Sequence, residues 1–463
     1  MFPKSSDEIF YFADLCSGPG GFSEYVLWRR ENAGHGFGFT LKGKDDFRLD
    51  KFLAACPEMF EPFYGIDGTE GDGDITNPEN LRRFHEFVNK VTDGKGVNMV
   101  MADGRIPGTR GHKLQEILSK RMYLCQACCA FSILTTGGNF VFKVFDTFTP
   151  FSVGLLYLLW RCFNQICIHK PRTSRPASSE RYIICLGYRD SDVIWRYLFN
   201  VNERFDEISK LEPKQDVIEL VPLDLLHAET DFIKYVTEIN ERFAERQTYY
   251  LEKYKAFARN LTLHDSRQEE MRKQCLSYWR IPDLPRPELC RSGASSRFAE
   301  LCKSNTNWIR FLPPAFVLDD SDMLHFNMCA CSGQLQVVIS LGKGRVYVYD
   351  DGRWADLRSH SHSHCRVRLP KDTLLLVDLT YEYSDVVDDK KKSPVRNPIF
   401  RIIDAYYLCG KDISGCTYNE RMRLSTKFCK TISKEHSRPD LAIVRTAQVW
   451  KFEELHKVLK RYE

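Results

Sequence analysis

Along the first 190 residues, short apolar runs alternate with stretches of helical periodicity. Ile9–Cys16 (IFYFADLC), Gly34–Leu41 (GHGFGFTL), Val97–Asp103 (VNMVMAD), Asn139–Asp146 (NFVFKVFD) and Tyr182–Tyr188 (YIICLGY) are the apolar runs. Each has the length of a strand and reads as one buried on both faces. Between them, FSEYVLWRR follows a glycine-rich turn, and LQEILSKRMYLCQACCAFSIL has helical spacing. Buried strands separated by amphipathic helices predict an α/β domain with a mostly parallel sheet.

The pattern changes from about residue 213. Phe232, Val236, Ile239 and Phe243 repeat at helical spacing, predicting a long helix to about Asn260. IPDLPRP, with Pro282, Pro285 and Pro287, then interrupts regular structure. Beyond it LQVVISLG, RVYVYD, TLLLVDLTY and PIFRIIDAYYL are β-rich, with Asp351-Gly352 a hairpin turn. Helices are expected at Asn419–Ser433 and Val449–Tyr462. The organisation predicted is 1–212, an α/β domain; 213–284, a helical linker; and 285–463, an α+β domain.

Composition narrows the class. The 463 residues are 43% hydrophobic and 28% charged, as in a globular protein rather than a disordered one. The most apolar stretch, Phe148–Trp160, is too short to span a bilayer and is broken by Pro150 and Ser152, so no membrane association is expected. The N-terminus MFPKSSDEIF lacks the apolar segment of a secretion signal, so the 17 cysteines read as reduced thiols. A net charge of +4 permits an anionic partner without requiring one.

The sharpest chemical signal is ADLCSGPGGFSEY, Ala13–Tyr25. A strand ending at Asp14 runs into Gly18-Pro19-Gly20-Gly21 and opens a helix, where small residues admit a ligand and free N–H groups attract an anion. The spacing is neither a dinucleotide fingerprint nor a P-loop. GTEGDGDIT, with Asp72 and Asp74, reads alone as an exposed turn, since the full calcium-loop pattern is missing. Asp103 ends an apolar run, Lys143 lies inside FVFKVFD, and Glu180 precedes the strand at Tyr182. Ligands of open parallel sheets bind at the carboxyl ends of strands, so Asp103 and Lys143 are expected to converge near the glycine turn. A lysine near other cations can be tuned to activate a hydroxyl.

These segments together resemble the FtsJ/RrmJ-type nucleoside 2′-O-methyltransferases, and within them the eukaryotic enzymes acting on capped mRNA. FADLCSGPGGFSEYVLWRR, GDGDITNPEN, MADG, DTFTPFSVGLLYLL and TSRPASSERY carry the likeness over residues 8–190. The resemblance implies a Rossmann-like S-adenosylmethionine-dependent domain that methylates the ribose 2′-hydroxyl of the first transcribed nucleotide. It assigns Cys16, Ser17, Gly18, Pro19, Gly20, Gly21 and Phe22 to the methionine part of S-adenosylmethionine, with Asp14 beneath them in the cofactor site, and Asp74 and Ile75 to its adenosine. Family members use a Lys-Asp-Lys-Glu tetrad, of which Asp103, Lys143 and Glu180 match the last three, with Lys143 as base. Lys113 and Ser178 fall, with Lys143, at substrate-contacting positions, the first two being asparagine in one family member. The implied partners are the 5′ end of capped mRNA and the RNA polymerase II transcription machinery, and the implied location is the nucleus.

Two departures accompany the likeness. The first tetrad lysine belongs to a helix upstream of the turn, and the thirteen residues before Asp14 contain only Lys4. Slow transfer is therefore expected of this chain. Its alternatives are a silent cap-binding scaffold or methylation of another RNA position. The C-terminal half resembles the family's guanylyltransferase-like domain, yet Tyr349-Asp350-Asp351-Gly352 has tyrosine where the nucleotidyl lysine belongs, so a stabilising or docking role is expected. The run SHSHSHC with His360, His362 and His364 reads as a polar loop, and Cys125, Cys128 and Cys129 as buried thiols, so no metal site is expected. Lys42, Lys44, Arg105, Arg110, Arg172 and Arg175, in loops that follow predicted strands, suit RNA phosphates.

Overall fold

The computed structural model describes residues 8–454 except 32, 107–113, 190, 212–214, 264, 286, 288–291, 303–326, 330–334, 351, 360–365, 389–392, 439 and 452–453. The first half folds as β1 (Phe10–Leu15), α1 (Gly21–Arg29), β2 (Gly34–Phe39), β3 (Phe60–Pro62), α2 (Pro78–Val91), β4 (Val97–Ala102), α3 (Gln115–Ile133), β5 (Leu134–Phe145), α4 (Pro150–Cys162), β6 (Phe163–His169), β7 (Glu180–Tyr188) and α5 (Asp192–Ile208). Its sheet has the order β3-β2-β1-β4-β5-β7-β6. The five strands from β3 to β5 are parallel, and β7 runs antiparallel to both β5 and β6.

The apolar runs are strands because both their faces are covered. Ala13, Leu15, Val100, Ala102, Phe140 and Phe142 point into one core, roofed by α2 to α5. The alternate residues Phe10, Phe12, Met99 and Met101 point into a second. This two-residue alternation is the pleat expressed as packing. β6 escapes the sequence reading because it is an edge strand, with Asn164, Gln165, Cys167 and His169 exposed.

The region expected to be a linker holds α6 (Leu223–Ala228), α7 (Thr230–Arg259) and α8 (Gln268–Trp279). Phe232, Val236 and Ile239 of α7 join the first core, so the start of this helix packs on the sheet domain. Among the described residues no helix is long and apolar enough to cross a membrane.

After α9 (Ala294–Cys302) come β8 (Asn327–Cys329), β9 (Leu335–Ser340), β10 (Val346–Asp350), β11 (Arg353–Asp356), β12 (Thr373–Asp388), β13 (Ser393–Leu408), β14 (Lys411–Asp412), α10 (Tyr418–Ile432), β15 (Ile443–Thr446) and β16 (Val449–Lys451). The second sheet runs β11-β10-β9-β12-β13-β14, with β15 on β13. Asp350 pairs with Arg353, as a tight hairpin requires. The helix expected from Val449 is corrected at its start: Val449–Lys451 is a strand, because Val449, Trp450 and Lys451 pair with Cys329, Met328 and Asn327. Strand pairing from more than a hundred residues away outweighs the local periodicity.

The two sheets share a core. Phe60 and Met59 lie in the same apolar cluster as Val338, Phe400, Phe428 and Ile432. Polar ties run beside it. His35 Nδ1 donates to the Thr431 carbonyl (2.8 Å), His35 Nε2 lies 3.1 Å from Glu61 Oε2, and Lys434 Nζ donates to the Phe60 carbonyl (2.7 Å).

Candidate active site

Strand direction assembles the site. The carboxyl ends of β1, β4 and β5 share one sheet edge, and because β7 is reversed its first residue lies at that edge too. In register, Leu15 faces Ala102, Ala102 faces Phe142, Lys143 faces Tyr182 and Phe145 faces Glu180. Cys16, Asp103, Lys143 and Glu180 therefore line one cleft of about 1180 Å³. Glu180, expected just ahead of the strand, is its first residue.

Lys143 has a side chain only 7% exposed, and its Nζ lies 2.8 Å from Asp103 Oδ1. The same nitrogen sits 5.6 Å from the centroid of the Phe145 ring. A carboxylate and an aromatic face explain why a lysine is tolerated in an apolar strand. Tyr182 donates its hydroxyl to the same Asp103 oxygen at 3.2 Å. Burial, and then Asp103 itself, push the Tyr182 hydroxyl well above its ordinary pKa, which keeps it a donor.

Glu180 shares the cleft, but its Oε1 accepts from Ser174 Oγ at 2.6 Å. Lys170 Nζ binds Ser174 Oγ at 3.0 Å, the Ser178 carbonyl at 2.8 Å and the Glu180 carbonyl. Burial pushes Lys170 down to about 8 against the opposing pull of Glu180. That lysine pins the 171–179 loop, which also places Ser178 on the cleft wall. Lys113 lies outside the described residues.

The glycine turn is shaped by the chain itself. A Cβ on Gly18 would stand 1.7 Å from the Asp45 carbonyl oxygen, and one on Gly20, whose φ is +105°, would meet the Phe52 ring at 2.8 Å. Gly21 has nothing within 4 Å. The loop pressing on the turn is held by Glu24, whose Oε1 accepts from Leu53 N and Ala54 N, and by Arg48 N donating to the Pro19 carbonyl. Sequence reasoning took small residues here as room for a ligand. At Gly18 and Gly20 the close neighbour is instead the 45–52 loop. Of the turn, Cys16 and Gly18 line the cleft; Ser17 Oγ bonds the Leu15 carbonyl, and the Phe22 ring lies 6.3 Å from that of Tyr182.

Asp14 lies fully buried beneath the turn. Its Oδ2 accepts from Ser23 Oγ at 2.5 Å, whereas Oδ1 has no hydrogen-bond partner. Burial pushes its carboxyl up to about 7, and it pushes the Cys16 thiol up to about 12, which keeps that thiol neutral. In the same cleft Asp74 Oδ1 accepts from Thr76 N and Oγ1, and Ile75 adds to the lining with Thr40 and Leu41. A turn, a carboxylate and an apolar wall in one cleft fit a nucleoside carrying an amino-acid tail, the build of S-adenosylmethionine. Among the described residues no group of three or more His, Cys, Asp or Glu could hold a metal ion.

Sequence reasoning missed Tyr182 as an Asp103 partner and missed Gln247, Leu251 and Tyr254 of α7, which line the same cleft. The available signal was the α7 stripe, which continues past Phe243 at intervals of four, four and three. Lys44, Arg105 and Arg175 stand exposed at the cleft. Lys42 is turned to Glu70, 3.0 Å away.

The open sheet, reversed at one strand, thus carries a lysine–aspartate pair at its carboxyl edge beside a glycine turn. Residues 3–188 match the family model of the FtsJ-like methyltransferases. The chain is also related over nearly its whole length to proteins named cap-specific mRNA (nucleoside-2'-O-)-methyltransferase 1. It is 41% identical to that of Mus musculus over 470 residues, covering 99% of this chain and 55% of the relative. For Danio rerio the identity is 40%, covering 98% and 55%; for Homo sapiens it is 42%, covering 98% and 54%. The chain thus spans about half the length of these relatives.

Proposed function

We propose that the chain methylates the ribose 2′-hydroxyl of the first transcribed nucleotide of capped mRNA, using S-adenosylmethionine, and that it does so in the nucleus. The observation that carries the reading is the 2.8 Å pair of Lys143 and Asp103 in the same cleft as Cys16, Gly18, Asp74 and Ile75. S-adenosylmethionine, when bound, would supply an electrophilic methyl group from its sulfonium, whose sulfur keeps the bonding pair and leaves as a neutral thioether. Cys16 and Gly18 would hold its methionine part, and Asp74 and Ile75 its adenosine. Lys143 Nζ, in its uncharged form, takes the proton from the ribose 2′-oxygen as that oxygen gains the methyl. Asp103 fixes Nζ in position and stabilises the ammonium once formed. Lys143 is largely buried in the cleft wall, and the cations at the rim suit the phosphates of the RNA.

The test replaces Lys143 by methionine, which keeps the length of the side chain and removes the base. Transfer to a short capped RNA should fall at least about a hundredfold, as expected for loss of a general base. Affinity for S-adenosylmethionine by calorimetry should stay within about twofold. Persistent transfer would assign the base elsewhere. Donor and capped-RNA binding with no transfer by the unaltered chain would favour the scaffold.

A further inference from the structure

α7 is longer than its packing requires. Its first third buries Phe232, Val236, Ile239 and Asn240, yet the helix continues to Arg259 along a largely exposed second half. In that half Gln247, Leu251 and Tyr254 are spaced by four and three residues, which places them on one stripe. The stripe lines the cleft that holds Asp103, Lys143 and Glu180. Leu251 and Tyr254 are each 47% exposed, so apolar and aromatic surface is presented to the cleft rather than to a core.

The stripe is also anchored to the catalytic strands. Asn240 donates to the Thr147 carbonyl (3.0 Å) and accepts from Thr147 Oγ1 and from the buried Arg181, whose other arm binds Asp146 at 2.9 Å. Gln247 Nε2 donates to the Ala177 carbonyl at 3.2 Å, tying the helix to the loop that leads into Glu180. Arg175 of that loop, with Lys44 and Arg105, adds exposed positive charge to the same cleft.

We infer that the Leu251–Tyr254 stripe is a stacking wall for the unpaired base that follows the reacting nucleotide, with Arg175 taking a backbone phosphate. The inference rests on the proposed function and extends it to a second nucleotide. Single-stranded RNA is held by aromatic faces under its bases and cations along its backbone, and the cleft supplies both beside the reacting lysine. Stacking is indifferent to base identity, which suits an enzyme whose substrates share a cap and differ in sequence.

The test compares a capped octamer with the cap dinucleotide, which has no following base. Tyr254→Ala should raise the octamer-to-dinucleotide ratio of KM about tenfold or more, the loss expected for one stacked base. Tyr254→Phe should restore the ratio of the unaltered chain, because the ring and not the hydroxyl makes the contact. Leu251→Ser should raise it less. An unchanged ratio in Tyr254→Ala overturns the inference, as does a Tyr254→Phe variant that loses as much as the alanine. Inactivity of the unaltered chain on both RNAs would strike the proposed function instead.

Discussion

Lys143 and Tyr182 stand opposite one another on antiparallel strands, and each directs a proton donor at the same oxygen, Oδ1 of Asp103. The carboxylate is thus shared between the proposed base and a hydroxyl that never leaves the site. Its orientation is set from two sides, so the position of Nζ does not depend on one flexible torsion.

Tyr182→Phe removes one of the two donors without emptying the space. The kcat for methyl transfer should fall about threefold to tenfold, the scale of one hydrogen bond of about 1 kcal/mol. KM for the RNA and donor affinity should hold, because the lost hydroxyl serves Asp103. Steady-state kinetics separates these quantities, and an unchanged kcat would reduce Tyr182 to packing.

Gly18 and Gly21, three residues apart, should respond in opposite ways. Gly18→Ala forces a methyl against the Asp45 carbonyl, a steric cost of about 1–3 kcal/mol or more. Gly21→Ala enters open space on the first turn of α1 and should be neutral or stabilising by up to about 1 kcal/mol. Urea unfolding of the two variants checks this. Equal losses would contradict the contact with the 45–52 loop.

Asp14 predicts a pH dependence of stability. Its folded carboxyl holds a proton up to about 7, while the unfolded chain releases it near 3.8. Between those values the folded state binds more protons, so the contribution is fully present below about 4 and is lost as pH rises toward 7. The full span corresponds to roughly 4 kcal/mol. Asp14→Asn should abolish this slope, so the variant gains on the unaltered chain as pH increases. Thermal unfolding from pH 4 to pH 8 measures the difference; parallel curves would show that Asp14 ionises normally.

The parts of the site carried by strands were legible because charged residues ending or interrupting apolar runs are conspicuous. Asp103 and Lys143 were expected to converge and do, and the order of strands explains it. Glu180 is harder: only the reversal of β7 brings its first residue to the cleft, and the edge strand β6 that accompanies the reversal is too polar to be seen. The glycines were legible as a tight turn but not in their cause, since Asp45 and Phe52 press on them from more than twenty residues away. Tyr182 looks like any strand aromatic until its partner is known. The α7 stripe shows a helix face continuing past its core, but no local pattern says where that face passes. At Val449 a local pattern was outvoted by a distant strand.

The core shared by the two sheets has a practical meaning for anyone cutting the gene. A piece ending after α5 would keep every residue assigned to the reaction and still carry Phe10, Phe12, Met59 and Phe60 in a cluster stripped of Phe400, Phe428 and Ile432. Such a piece is expected to be sticky rather than inert. The same dependence binds α10, which must go on presenting Phe428 and Ile432 to the neighbouring sheet, whereas Tyr349 lies outside that cluster.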